Sequence, residues 1–185
     1  MRVIAGSRRG ATLRAPRGGA TRPTPERVRE ALFSILATVK DARVLDLFAG
    51  SGALAIEALS RGAAQATLVD SSATAVAAIR RNLEALGFAG SAAEVRRQPV
   101  LTFLGQARTG ARQYDLVFLD PPYRHASSLG PQLASALVPV LAPDARVVAE
   151  SDRRAPLELD PALVGRFDER CYGDTLIRIH GHGSR

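Results

Sequence analysis

Cysteine is almost absent: Cys171 is the only one in 185 residues, so no disulfide can form within the chain. No charged-then-apolar leader opens the chain, and no run approaches the roughly 20 apolar residues of a membrane helix. Neither secretion nor a membrane is expected, and the cytoplasm is the expected compartment. His180-Gly181-His182 has no Cys or acid cluster beside it, so no metal is expected. Lysine is nearly missing too. Of 25 basic residues all but Lys40 are arginine, which fits either genome composition or thermal adaptation. There is no internal repeat and no sign of a second globular domain.

What remains is ordinary globular usage, 46% hydrophobic and 23% charged, in a chain long enough for one sizeable core. A monomer is expected. The charge is unevenly placed. Residues 1–29 hold Arg2, Arg8, Arg9, Arg14, Arg17, Arg22, Arg27 and Arg29 against Glu26 alone, a net +7 that equals the formal charge of the whole chain. A basic arm ahead of a balanced body suggests a polyanion bound at one end; a merely solvated arginine-rich segment is the alternative.

Residues 2–6 and 11–15 read as short strands around Gly6-Ser7-Arg8-Arg9-Gly10, a hairpin, and 16–23 as a Gly- and Pro-rich loop. The expected division is therefore a basic hairpin and loop over 1–23 and a main domain over 24–185. Thr24-Pro25-Glu26 has the order of an N-cap, a first-turn proline and an acid at the positive helix end. The helix that follows should turn Val28, Leu32, Ile35, Leu36 and Val39 to the core. From Arg43 on, strands near 43–48, 66–70, 93–97, 114–120 and 145–150 alternate with helices near 51–61, 72–86, 99–108 and 127–141. That alternation predicts an α/β, mostly parallel, doubly wound sheet. Strands near 165–172 and 174–180 are joined only by Gly173-Asp174, an antiparallel hairpin at the end. Cys171, in the first of them, reads as packed rather than reactive.

Two stretches carry chemistry. In Val44-Leu45-Asp46-Leu47-Phe48-Ala49-Gly50-Ser51-Gly52-Ala53-Leu54-Ala55 an apolar strand runs through glycines into a helix, a nucleotide-type cofactor loop. Gly50-x-Gly52-x-x-Ala55 also fits the dinucleotide fingerprint, and Asp70 ends the next apolar run near the spacing of a ribose-binding acid. Asp46 would meet a diphosphate unfavourably but could pair with a cationic amino group, such as that of S-adenosylmethionine. The second stretch, Val117-Phe118-Leu119-Asp120-Pro121-Pro122-Tyr123, is a buried strand stopped by an acid and two prolines. It is either a reaction site at a strand's C-terminal end or only a tight strand exit. A hydride-transfer enzyme has no evident use for it.

Together these stretches resemble the amino-methyltransferases, which methylate exocyclic amines from an Asp/Asn-Pro-Pro-Tyr/Phe loop. With Arg22-Pro23-Thr24, Arg27-Val28-Arg29-Glu30-Ala31-Leu32-Phe33, Glu57-Ala58-Leu59-Ser60-Arg61-Gly62 and Tyr172-Gly173-Asp174-Thr175 added, nearly the whole chain resembles the bacterial 16S rRNA (guanine-N2)-methyltransferase family, the small-subunit methyltransferase D type. The resemblance implies a Rossmann-like class I S-adenosylmethionine-dependent fold with seven strands, and a 16S rRNA or small-subunit particle as partner.

It also implies a site. The cofactor would lie against Asp46, Phe48, Ala49, Gly50, Ser51, Gly52, Asp70, Ser71, Gln98, Pro99, Val100 and Asp120. Asp46 would take the methionine ammonium and Asp70 the ribose hydroxyls, unless Asp70 only caps the next helix. Where many members carry Asp-Ala or Asn-Ala before Phe-Leu, this chain has Pro99-Val100, so a backbone carbonyl or Gln98 would have to meet the adenine amino group. Asp120 and the Pro121 carbonyl would draw the amine's protons aside, with Pro122 fixing the turn and Tyr123 stacking on the base or packing in the core. Arg8, Arg9, Arg22, Arg27 and Arg29 are the candidate RNA contacts. His125 reads as surface loop. A DNA adenine-N6 methyltransferase shares both motifs but usually carries a recognition domain. A NAD-dependent oxidoreductase needs a substrate domain, and a non-catalytic RNA-binding module leaves Asp46 and Asp120 without purpose.

Overall fold

The structure, a computed structural model, describes residues 1–16, 24–90, 92–122 and 126–182. Among the described residues seven strands, β1 (Arg43–Leu47), β2 (Gln65–Asp70), β3 (Ala93–Arg97), β4 (Tyr114–Leu119), β5 (Leu141–Asp152), β6 (Phe167–Tyr172) and β7 (Thr175–Gly181), form one sheet in the order β3-β2-β1-β4-β5-β7-β6, and the chain falls into two compact units, Met1–Gln98 and Pro99–Arg185.

The first unit holds α1 (Glu26–Leu36), β1 (Arg43–Leu47), α2 (Ala53–Ser60), β2 (Gln65–Asp70), α3 (Ala73–Ala85) and β3 (Ala93–Arg97). Its strands are parallel, Val44 facing Ala66 and Ala66 facing Ala93 across the ladder. The apolar runs behave as fully buried parallel strands do: Val44, Leu45, Leu47, Leu68 and Val69 are all buried. Helix α1 starts at Glu26, with Pro25 as the cap residue, and its Pro25 carbonyl accepts from the Val28 and Arg29 N–H groups. The buried face is Val28, Arg29, Leu32, Phe33 and Leu36. Ile35, expected inside, is 40% exposed, and Val39, though buried, lies beyond the helix end. The helix stops because Ala37 turns to φ 54°.

The N-terminal residues form the expected hairpin, with a shorter ladder than two strands would give. Val3 N–H donates to Ala11 O, Gly10 N–H to Val3 O and Leu13 N–H to Met1 O, with one isolated bridge between Arg2 and Thr12. This hairpin is docked rather than free. Val3 and Leu13 are buried, and buried Glu57 of α2 accepts from the backbone N–H groups of Ile4 at 2.7 Å and Ala5 at 3.0 Å. Ser60 Oγ donates to Ala5 O and accepts from Arg8 N–H. Gly6 turns over Ser60 so closely that a Cβ there would lie 1.8 Å from the Ser60 carbonyl oxygen, so the seat admits only glycine.

The second unit holds α4 (Val100–Thr109), β4 (Tyr114–Leu119), α5 (Ala126–Leu137), a 3-10 turn (Val138–Val140), β5 (Leu141–Asp152), α6 (Pro161–Val164), β6 (Phe167–Tyr172) and β7 (Thr175–Gly181). Strands β4 and β5 are parallel, while β7 pairs antiparallel with both β5 and β6. The mostly parallel sheet with a terminal antiparallel hairpin is therefore the one expected. Strand β5 begins at Leu141, not near 145, because Leu141 pairs with Tyr114 before a bulge resets the register to Leu116 and Arg146. Asp144 takes φ 60° within that irregularity. The short α6 was not expected, although Asp160-Pro161 is a helix-start pair and Asp160 accepts from Ala162 N–H. Cys171 is exposed, a correction that follows from β6 being the sheet's last strand with an open face. His180 is core: its Nδ1 lies 3.1 Å from Gly165 O and its ring packs on Phe167.

Candidate active site

Every cofactor-side residue expected from the first unit gathers at the carboxyl ends of its three parallel strands. Strand β1 delivers Asp46 and then Phe48 to Gly52; β2 delivers Asp70 and Ser71; β3 ends just before Gln98. Parallel pairing makes this unavoidable, since each strand reaches the same edge before its helix.

The loop itself is held in a demanding conformation. Phe48, Gly50 and Gly52 take φ of 63°, 57° and 77°. Two of the three are glycines, as left-handed backbone prefers, while Phe48 bears a side chain at positive φ, which costs energy for any residue with a Cβ. At Gly52 a Cβ would also meet the Leu68 side chain at 2.9 Å. Ala49 N–H donates to Val69 O, and Gly52 N–H to Ala49 O. Asp70 is the loop's anchor: Oδ2 accepts from Gly50 N–H at 2.9 Å and Oδ1 from Ser72 N–H at 2.8 Å. The cap of α3 is Ser72, whose Oγ accepts from Ala75 N–H, so Asp70 does not itself cap the helix but holds the backbone N–H of the residue that does. Ser51 is buried with Oγ 3.5 Å from Met1 Sδ, and Ser71 is exposed.

Asp46 is 3% exposed, and its Oδ2 accepts from Ala55 N–H at 3.2 Å in the first turns of α2. Burial, with a smaller push from the Asp70 charge, raises its carboxyl to about 7. A buried acid held near neutrality is primed to ionise when a cation comes beside it.

Gln98 is half-buried, and its N–H donates to Asp70 O at 3.2 Å. In the second unit Pro99 is the cap residue of α4, exposed, with Val100 buried behind it. Asp120 follows directly on β4, whose Leu116 to Leu119 are at most 1% exposed. Asp120 is half-buried, Pro121 buried and Pro122 exposed. Tyr123, His125 and Arg22 lie outside the described residues.

The arginines divide. Arg9 and Arg27 are exposed. Arg8, although exposed overall, donates from Nε to Leu86 O at 2.6 Å and lies over the Phe88 ring, so part of its role is to hold the hairpin. Arg29 is a correction. It is 0% exposed and cannot reach a nucleic acid from the surface; its Nη2 donates to Arg2 O at 2.7 Å, while Nε and Nη1 have no hydrogen-bond partner among the described residues. Burial lowers its pKa, opposed by the nearby Glu57 and Glu26 charges.

Two residues with no role expected of them complete the unit. Glu57 gathers Ile4, Ala5 and Arg61, whose Nε donates at 2.7 Å. Asn82, 2% exposed, faces inward from α3 beside Ala78, Ile79 and Leu83. An amide at a core-facing helix position was the signal for it, since buried polar groups must be partnered.

The family described as conserved hypothetical protein 95 matches residues 1–181. The chain belongs to that family. It is 38% identical over 183 residues to the ribosomal RNA small subunit methyltransferase D of Escherichia coli K12, covering 97% of this chain and 89% of that one. Against the enzyme of the same name from Haemophilus influenzae it is 37% identical over 183 residues, covering 97% and 93%. These relatives bear out the family resemblance read from the motifs. Among solved structures, a hypothetical protein from Thermus thermophilus superposes with a TM-score of 0.82 at 29% identity, over 97% of this chain and 98% of that one. An RNA methyltransferase from Salinibacter ruber, solved with S-adenosyl-L-homocysteine, shares the fold at a TM-score of 0.67 and 18% identity, over 89% of this chain and 95% of that one.

Proposed function

We propose that the protein transfers a methyl group from S-adenosylmethionine to the exocyclic N2 amine of a guanine in 16S ribosomal RNA, free or within a small-subunit particle. The observation that carries this reading is the edge of β1 to β3, where buried Asp46 and the Asp70-anchored Gly50 loop lie together. The names of the relatives point the same way.

The donor set fits this cofactor. Asp46, poised near neutrality, suits an ammonium far better than a phosphate, whose charge would drive it further from ionising. Asp70 has each oxygen committed to one backbone N–H, and a carboxylate oxygen keeps a second lone pair for a ribose hydroxyl. The sulfonium supplies an already activated methyl, so the acceptor amine is what needs help. Its lone pair is delocalised into the guanine ring. Acceptors that draw its protons to one side restore a directed lone pair, and Asp120 with the Pro121 carbonyl is assigned that task. Positioning and electrostatics then supply the rate: as the N–C bond forms the C–S bond breaks, S-adenosylhomocysteine leaves, and the methylated cation is acidic enough to lose its proton to water with no strongly shifted base. Tyr123 is assigned the stack on the displaced base. No helix among the described residues is long and apolar enough to cross a membrane.

Mass-spectrometric mapping of methylated guanines in ribosomal RNA, from cells with and without this gene, tests the assignment. One N2-methylguanine should be lost from the small-subunit RNA; an unchanged pattern, or a loss at another atom, refutes it.

The polyanion reading of the basic segment moves from the buried to the exposed arginines. Each phosphate contact contributes roughly 0.7 to 0.9 to the slope of log affinity against log salt. Combining Arg9→Ala with Arg27→Ala should flatten that slope by about 1.4 to 1.8 for an rRNA fragment and leave S-adenosylhomocysteine affinity alone. An unchanged slope removes both residues from the interface.

A further inference from the structure

We propose that Asn82 is a positioning residue that couples the N-terminal hairpin to the glycine loop, so that occupancy of the loop sets how firmly the hairpin is seated. The proposal rests on the reading of that loop as the cofactor seat.

Asn82 has one amide and uses both ends of it. Oδ1 accepts from Arg14 N–H at 2.9 Å; Nδ2 donates to Arg14 O at 3.0 Å and to Ser51 O at 3.0 Å. The orientation of the amide follows from its partners, because Arg14 N–H can only donate and the two carbonyls can only accept. The returning limb of the hairpin is therefore paired to a side chain as it would be to a neighbouring strand. The other end of the same group holds the one residue between Gly50, whose N–H meets Asp70, and Gly52, the left-handed cap residue of α2. A shift of the Ser51 carbonyl moves both glycines. Partners 68 and 31 residues away in sequence thus share one buried amide, where a neutral side chain can neither leave for solvent nor serve one partner alone without cost.

Asn82 also lines an open cleft of about 220 Å³ with Thr12, Arg14, Arg81, Glu84 and Ala85. A group resting against Arg14 there is one side chain from Ser51. Because linkage is reciprocal, tightening the loop tightens the hairpin, and seating the hairpin favours the loop.

Hydrogen exchange at the Val3, Gly10 and Leu13 amides, which bond within the hairpin and not to Asn82, reads this coupling, with S-adenosylhomocysteine as the probe. In the wild-type protein saturating ligand should slow exchange at those amides by about fivefold or more. Asn82→Ala should abolish the slowing and weaken ligand binding about tenfold. Asn82→Asp keeps the volume and the acceptor for Arg14 N–H but presents oxygen to two carbonyls; it should also lose the slowing, and it decides the matter if Asn82→Ala does not fold. A residue that merely stabilised the fold would lower the melting temperature and leave the ligand-induced slowing intact, and that result overturns the proposal. Wild-type protein that binds ligand without slowing the hairpin amides overturns it as well. Wild-type protein that binds no ligand instead overturns the cofactor reading of the loop.

Discussion

Asp120→Ala is expected to slow methyl transfer by roughly 10²- to 10³-fold while changing cofactor affinity by no more than about twofold. The carboxylate is assigned to the amine, whose protons matter most when the nitrogen lone pair turns toward the methyl. An interaction realised mainly in the transition state is lost from turnover and not from ground-state binding. Losing one preorganised group of this kind costs roughly 10² to 10³ in rate. The fold should survive, because Asp120 lies beyond the buried run Leu116 to Leu119 and the strand exit is set by buried Pro121. Single-turnover transfer of labelled methyl to an rRNA fragment measures the first quantity, and calorimetry with S-adenosylhomocysteine the second. Asp120→Asn keeps an acceptor oxygen and should fall between. An Ala variant as fast as wild type would reduce the motif to a strand exit.

The alternating architecture was legible because uninterrupted apolar runs such as Leu116 to Leu119 have only one comfortable place, the middle of a parallel sheet. Strand β3 lies at 93–97 as expected, and the glycine loop lies where its strand-to-helix switch put it. What stayed hidden were contacts between residues distant in sequence. Arg29 reads as one more surface charge in a basic segment, since nothing nearby in the chain shows that Arg2 O and Glu57 will lie around it. The pairing of Asn82 with Arg14, and of Glu57 with Ile4 and Ala5, is invisible for the same reason. The early start of β5 depends on a bulge, which periodicity does not report. Composition registers charge; only the fold says which charges are spent on holding the chain together.

Cofactor binding is expected to release a proton from Asp46, and the release should shape its pH dependence. Burial holds this carboxyl at about 7, so near neutrality it is about half protonated. An ammonium placed beside it lowers that value, so binding below pH 7 must expel the proton. Affinity for S-adenosylhomocysteine should therefore rise up to about tenfold per pH unit until about pH 7 and then level off. It should fall again at higher pH, once the ligand's own α-amino group loses its charge. Asp46→Asn removes the acid limb and weakens binding roughly ten- to a hundredfold, the usual worth of a charge-assisted bond. Stability of the free protein should move the other way. The folded value lies above the ordinary 3.8, so between about pH 4 and 7 the folded state binds more protons than the unfolded one. The contribution of Asp46 to stability then declines as pH rises through that window and is flat above it, by an amount on the order of 4 kcal/mol. Asp46→Asn should be more stable than wild type at pH 8 and lose most of that advantage at pH 4. Calorimetry in buffers of differing ionisation heat counts the released proton, and denaturant titrations at the two pH values measure the stability. Affinity that stayed flat from pH 5.5 to 7.5 with no proton released would mean that Asp46 does not meet the cofactor's ammonium.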